Sequence, residues 1–100
     1  MAFFSLFLGI KFGMNPRSTG NYHGYTGRNE HGDPHLVVQH QNNIVEVYIK
    51  DCSVKSVKQG EYTRTMKKYT ELYINQFREK LLHKWETQDF SEMKVKRNHR

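Results

Sequence analysis

From Glu61 to Glu86 the chain runs without a single Gly or Pro, and along it Tyr62, Met66, Tyr69, Tyr73, Phe77, Leu81 and Trp85 recur at three- and four-residue steps. That period stacks side chains on one face of an α-helix, so the segment predicts one amphipathic helix of about seven turns. Leu72, Ile74 and Leu82 widen the apolar stripe, while Arg64, Lys67, Lys68, Glu71, Asn75, Arg78 and Glu79 occupy other positions. Such a helix draws its stability from packing its dry face on something else, and the remaining chain must provide that surface.

The first half supplies strands. Residues 2–14 mix Phe, Leu and Ile with Ser5, Gly9 and Gly13 in a way that suits one extended segment buried on both faces. Leu36-Val37-Val38-Gln39-His40, the turn material Gln41-Asn42-Asn43 and Ile44-Val45-Glu46-Val47-Tyr48-Ile49 together predict a hairpin. A weaker alternation through Cys52, Val54 and Val57 predicts a short further strand that Gln59-Gly60 ends. The expected architecture is α+β: a three- or four-stranded, mainly antiparallel sheet packed on one long C-terminal helix from about Tyr62 to Glu86. One hundred residues hold one such core, which places a single domain over residues 1–90. Residues 91–100, with Lys94, Lys96, Arg97 and Arg100, read as a flexible basic tail.

Charge constrains the partner. Sixteen Lys and Arg against ten Asp and Glu give +6. Residues 1–50 carry four basic and three acidic side chains, and residues 51–100 carry twelve and seven. An acidic partner is therefore expected on the C-terminal half, with Arg64, Lys67, Lys68, Lys94, Lys96 and Arg97 as the residues that meet it. Those cations are interleaved with Tyr62, Tyr69 and Tyr73, a mixture that suits nucleic-acid phosphates or an acidic protein surface, although the Tyr positions also match the buried stripe. A single cysteine, Cys52, excludes an intramolecular disulfide and points to a reducing compartment, the cytoplasm. The apolar start Met1–Ile10 lacks a basic n-region and a small-residue cleavage site, and it is about half the length of a bilayer span, so it is expected to be core and no membrane is implied.

Between the first strand and the hairpin, residues 15–35 form a Gly- and His-rich loop containing His23, His31 and His35. A loop this long inside a compact domain is usually functional or stapled. Imidazole is the commonest zinc ligand, and a divalent ion would tie down a segment with little apolar surface. One zinc is expected on His23, His31 and His35, with Cys52 or Asp33 as fourth ligand. The spacing matches no recognised zinc finger or ribbon, and each residue has an ordinary role as well: polar loop histidines, a turn-capping Asp33 before Pro34, a small buried Cys52. His40 stands five positions after His35, so in one strand the two face opposite sides. The helical His83 is read as a packing or surface residue.

Catalytic signatures are absent from the sequence: it has no Gly-x-Ser-x-Gly, no phosphate loop and no Cys adjacent to a His. A nuclease would need either a His with a basic oxyanion clamp, the role that His35 with Arg28 or Lys50 could take, or carboxylates for a metal, and no motif indicates either.

Asp33-Pro34-His35-Leu36-Val37-Val38, the hairpin and the ending Leu81-Leu82-His83-Lys84-Trp85 make the chain resemble the small bacterial and phage proteins of the domain of unknown function 4160 family. The resemblance covers about Ile10 to Phe90 and includes a Gly-Ile step, here Gly9-Ile10, and a Pro-His-x-His-Val pattern. Two departures stand out: the family's second His corresponds to Val37, and the loop before Pro34 is longer and carries His23 and His31. If the paired His of the family bind something, this chain would draw the missing ligand from its loop. Family members are often encoded in pairs resembling toxin–antitoxin modules, which implies partner binding. In size and type the chain is also similar to phage anti-CRISPR proteins. The expected function is therefore a non-enzymatic, zinc-binding interaction protein, such as an inhibitor that docks on an acidic patch of a CRISPR effector nuclease and blocks nucleic-acid loading. The alternative is a toxin-like nuclease or nucleic-acid binder in which His35 acts near Arg28.

Overall fold

The computed structural model describes residues 2–15 and 33–93. They form β1 (Ala2–Phe7), β2 (Ile10–Met14), β3 (His35–His40), β4 (Asn43–Tyr48), β5 (Val54–Gln59) and α1 (Arg64–Thr87). The strands make one antiparallel sheet in the order β1-β2-β3-β4-β5, and α1 lies on it along β2 and β3. The α+β architecture is the expected one, with one strand more than the three or four anticipated.

The extra strand arises where residues 2–14 were expected to run straight. They fold into a hairpin closed by the pair Phe7 and Ile10, with Leu8 and Gly9 between. Both central residues have positive φ, 55° and 82°, the pattern of a type I′ turn. Asn-Gly would have announced such a turn; a leucine, which pays a steric cost in this region, conceals it. Further along β1 the register shifts, Phe3 facing Gly13 and Ser5 facing Phe12, so Phe4 is an inserted residue. The bulge turns the consecutive side chains of Phe4 and Ser5 both inward, where both are buried. Gly13 is required there, since a Cβ would collide with the carbonyl of Ala2 and the Cα of Phe3.

One cross-strand row, Ser5–Phe12–Val38–Val45–Val57, carries the core across the sheet. Over it α1 places Met66, Thr70, Tyr73, Ile74, Leu81, Lys84 and Trp85, all buried. The Tyr73 ring stacks on Phe12 with centroids 3.9 Å apart, and its hydroxyl donates to Ser5 Oγ at 2.6 Å. Because the helix follows β2 and β3, the β5 residues Val54 and Val57 stay partly exposed.

The helix differs from the expectation in three respects. It starts at Arg64, capped by the Thr63 side chain accepting from the Met66 amide, so Tyr62 precedes it. Leu72 and Leu82 do not widen the buried stripe; they are 49% and 37% exposed. Phe77 has non-helical angles, φ −120° and ψ 19°, and marks a bend. Lys84 lies inside, its Nζ donating to the carbonyls of Asp89 and Ser91 at 3.0 and 2.7 Å and sitting 4.8 Å from the Phe4 ring centroid. Past the left-handed cap Gln88, Lys84 thereby straps residues 89–93 onto β1, where Phe90 stacks on Phe4 and the Met93 amide donates to the Phe4 carbonyl at 2.8 Å. Ser91–Met93, assigned to the tail by composition, are thus held against the domain. No helix among the described residues is long and apolar enough to cross a membrane.

Candidate functional site on the outer face of the helix

The first three turns of α1 turn one face to solvent, and on it Arg64, Lys67, Lys68, Glu71, Leu72 and Asn75 line a shallow depression of about 440 Å³. Their placement follows from the helix itself. Tyr73 and Ile74 are fixed against the sheet, and Leu72, two residues before Ile74, comes roughly 200° around the axis at 100° per residue. Lys67 pairs with Glu71 one turn on at 3.1 Å, both side chains exposed, which ties up one cation only weakly. Lys68 stands 5.6 Å from the Tyr69 ring centroid. Arg64 has no carboxylate within ion-pair distance among the described residues. Three cations face one carboxylate around an exposed leucine: a surface with positive potential, an apolar anchor and the Asn75 amide for hydrogen bonding.

This face unites three of the expected partner-binding residues, Arg64, Lys67 and Lys68. Lys94, Lys96 and Arg97 lie outside the described residues. Leu72 and Asn75 were not anticipated as site residues; the helical angle of Leu72, opposite Ile74, was the available signal.

Of the expected metal ligands, His23 and His31 lie outside the described residues, as does Arg28 of the nuclease reading. The other three are placed at the end of the sheet where β3 begins. His35 is only 9% exposed, its ring 4.9 Å from Trp85 and 6.3 Å from Tyr48 between centroids. Its Nδ1 lies 3.0 Å from the Asp33 carbonyl, which can only accept, so Nδ1 is the donor, and of the two neutral tautomers this bond selects the one whose lone pair is on Nε2. Asp33 Oδ2 takes a hydrogen bond from Lys50 at 2.9 Å in an exposed pair that holds the Lys50 ammonium pKa above its ordinary value. Cys52, at a left-handed φ of 67°, has its thiol 3.7 Å from the Arg78 guanidinium, which also donates to the Ile49 carbonyl at 3.0 Å. Burial pushes the Cys52 thiol up, with Arg78 opposing. Among the described residues no group of three or more His, Cys, Asp or Glu is placed to hold a metal, so Asp33, His35 and Cys52 do not make a three-ligand site by themselves.

Comparison with known proteins returned no match: no protein-family model, no curated protein and no solved structure corresponds to this chain.

Proposed function

We propose that the protein is a non-enzymatic interaction module that docks the outer face of α1 onto an acidic protein surface. The observation that carries this reading is the clustering of Arg64, Lys67 and Lys68 around the half-exposed Leu72 and Asn75 in one depression. Positive charge steers an acidic partner into place, and an apolar side chain at the centre supplies the contact that charge alone does not. A CRISPR effector nuclease whose nucleic-acid loading is thereby blocked is the partner we propose, and the resemblance to the domain of unknown function 4160 family belongs to the same proposal. The burial of His35 against Trp85 favours this over a nuclease, since a general acid or base must reach its substrate. A zinc ion is proposed too, with His35 Nε2 as one ligand and His23 and His31 as others.

The test uses an acidic peptide containing one Leu, a single-stranded RNA of equal charge, and a CRISPR effector nuclease. Stoichiometric binding to the peptide and to the nuclease, weakened about tenfold or ~1.4 kcal/mol by the double charge reversal Arg64→Glu/Lys68→Glu and lessened by salt, is the expected result. Turnover of the RNA, abolished by His35→Ala in a folded protein, would establish the nuclease reading instead.

A further inference from the structure

The two edges of the sheet are built differently. β5 carries Lys55 and Lys58 and is irregular at two points against β4, the features by which natural sheets discourage strand addition. β1, Ala2-Phe3-Phe4-Ser5-Leu6-Phe7, carries no charge and no proline. Its outer edge already takes one backbone hydrogen bond, from the Met93 amide to the Phe4 carbonyl. Beyond that point Ser5 and Phe7 face Phe12 and Ile10 of β2, and in antiparallel pairing the N–H and C=O of the intervening Leu6 then point away from β2 to the open edge. Leu6 is also the most exposed large apolar side chain among the described residues, at 64%, and its neighbour Leu8 is 48% exposed. A groove of about 590 Å³ runs alongside, lined by Phe3, Leu6, Lys11, Glu92 and Met93 among others.

We infer that this edge is a strand-addition site whose occupant is a second copy of the same chain, two β1 strands pairing antiparallel about a two-fold axis at Leu6. Charge selects the occupant. In a chain of net charge +6, two copies repel each other at the Lys-bearing helix face and at the β5 edge, while β1 itself carries no charge and, among the described residues, the groove beside it holds one cation and one carboxylate per copy, Lys11 of β2, opposite Leu6, and Glu92, which balance. An acidic partner, which the helix face suits, finds at this groove only Lys11, offset by Glu92. The two-fold brings Leu6 opposite Leu6, each N–H donating to the other's carbonyl, with Leu8 beside them and the Met93–Phe4 bond left in place. The same patch serves both copies, as a closed two-fold interface requires. The contact is short, so the association is reversible and concentration-dependent.

Sedimentation equilibrium over a wide concentration range tests it. The weight-average mass is expected to rise from 12.0 kDa toward twice that value. Leu6→Lys, which gives β1 the guard that β5 has, and Leu6→Pro, which removes the outward N–H, are each expected to hold the protein monomeric with unchanged circular dichroism. Should either variant fail to fold, hydrogen exchange of the wild-type Leu6 amide decides: it slows as concentration rises. A monomer at every concentration, a dimer indifferent to both variants, a Leu6 amide insensitive to concentration, or a dimer broken by Arg64→Glu/Lys68→Glu would each overturn the inference.

Discussion

Tyr73 links α1 to both strands of the first hairpin, its ring flat on Phe12 of β2 and its hydroxyl bonded to Ser5 of β1. Both groups are buried, so Tyr73→Phe strands the Ser5 hydroxyl without a partner, and urea unfolding is expected to show a loss of about 1–3 kcal/mol. Combining it with Ser5→Ala, which removes the orphaned group, is expected to recover part of that loss. Burial also raises the pKa of the Tyr73 phenol, and pushes that of Tyr62 up to about 12 from an ordinary value of 10.0. The sign follows directly. Folding favours the neutral phenol, so the stability each ring contributes is complete below pH 10 and is lost as pH climbs through the folded-state value. In an alkaline titration the phenolate absorbance of these two residues is expected to appear together with loss of the circular dichroism signal; ionisation near 10 in a folded protein would refute their burial. The stripe made Tyr73 legible as a core residue. Its bond to Ser5, 68 positions away, was not, because nothing local marks which hydroxyl a buried phenol will find.

At the scale of elements, legibility followed local chemistry. The β3–β4 hairpin and the long helix carry strong periodicity and were both readable. The Leu8–Gly9 turn was hidden because the left-handed residue is apolar. Lys84 had no signal of its own: a lysine is ordinarily solvent-facing, yet this one is buried because the carbonyls of Asp89 and Ser91 satisfy its ammonium group. Lys84→Met keeps the aliphatic stem and removes the donors. It is expected to cost about 1.5–3 kcal/mol, the range for hydrogen bonds to a charged group, and to speed hydrogen exchange at the Met93 amide while the amides of β2 and β3 stay protected. Trp85→Ala, at the same end of the helix, removes a buried ring that packs on His35, and is expected to lower stability by about 3–5 kcal/mol. An unchanged melting temperature in that variant would mean that this face of α1 is not the core face.

For the molecule as a whole, the position of charge was easier to read than the position of ligands. Counting residues put the basic excess in the C-terminal half, and α1 gathers Arg64, Lys67 and Lys68 because helical spacing keeps them off the buried stripe. A metal site depends on side chains converging from distant segments, which spacing alone cannot fix. Of the expected set, Asp33 is engaged by Lys50, Cys52 lies beside the Arg78 cation, and His35 keeps one ring nitrogen for a ligand. A zinc site on this chain must therefore draw at least two ligands from residues outside those described, and His23 and His31 are the ones proposed. The carbonyl of Asp33 would then act on His35 as carbonyls do behind zinc-bound imidazoles, fixing the tautomer that presents Nε2. Protein purified without an affinity tag is expected to carry about one equivalent of zinc by elemental analysis, and its melting temperature to fall with chelator, since metal affinity adds to folding free energy. His23→Ala/His31→Ala is expected to abolish both effects, with far-UV circular dichroism showing the sheet and helix retained. Zinc below roughly a tenth of an equivalent, with a melting curve indifferent to chelator, rejects the site and leaves the docking face of α1 as the sole functional surface of this proposal.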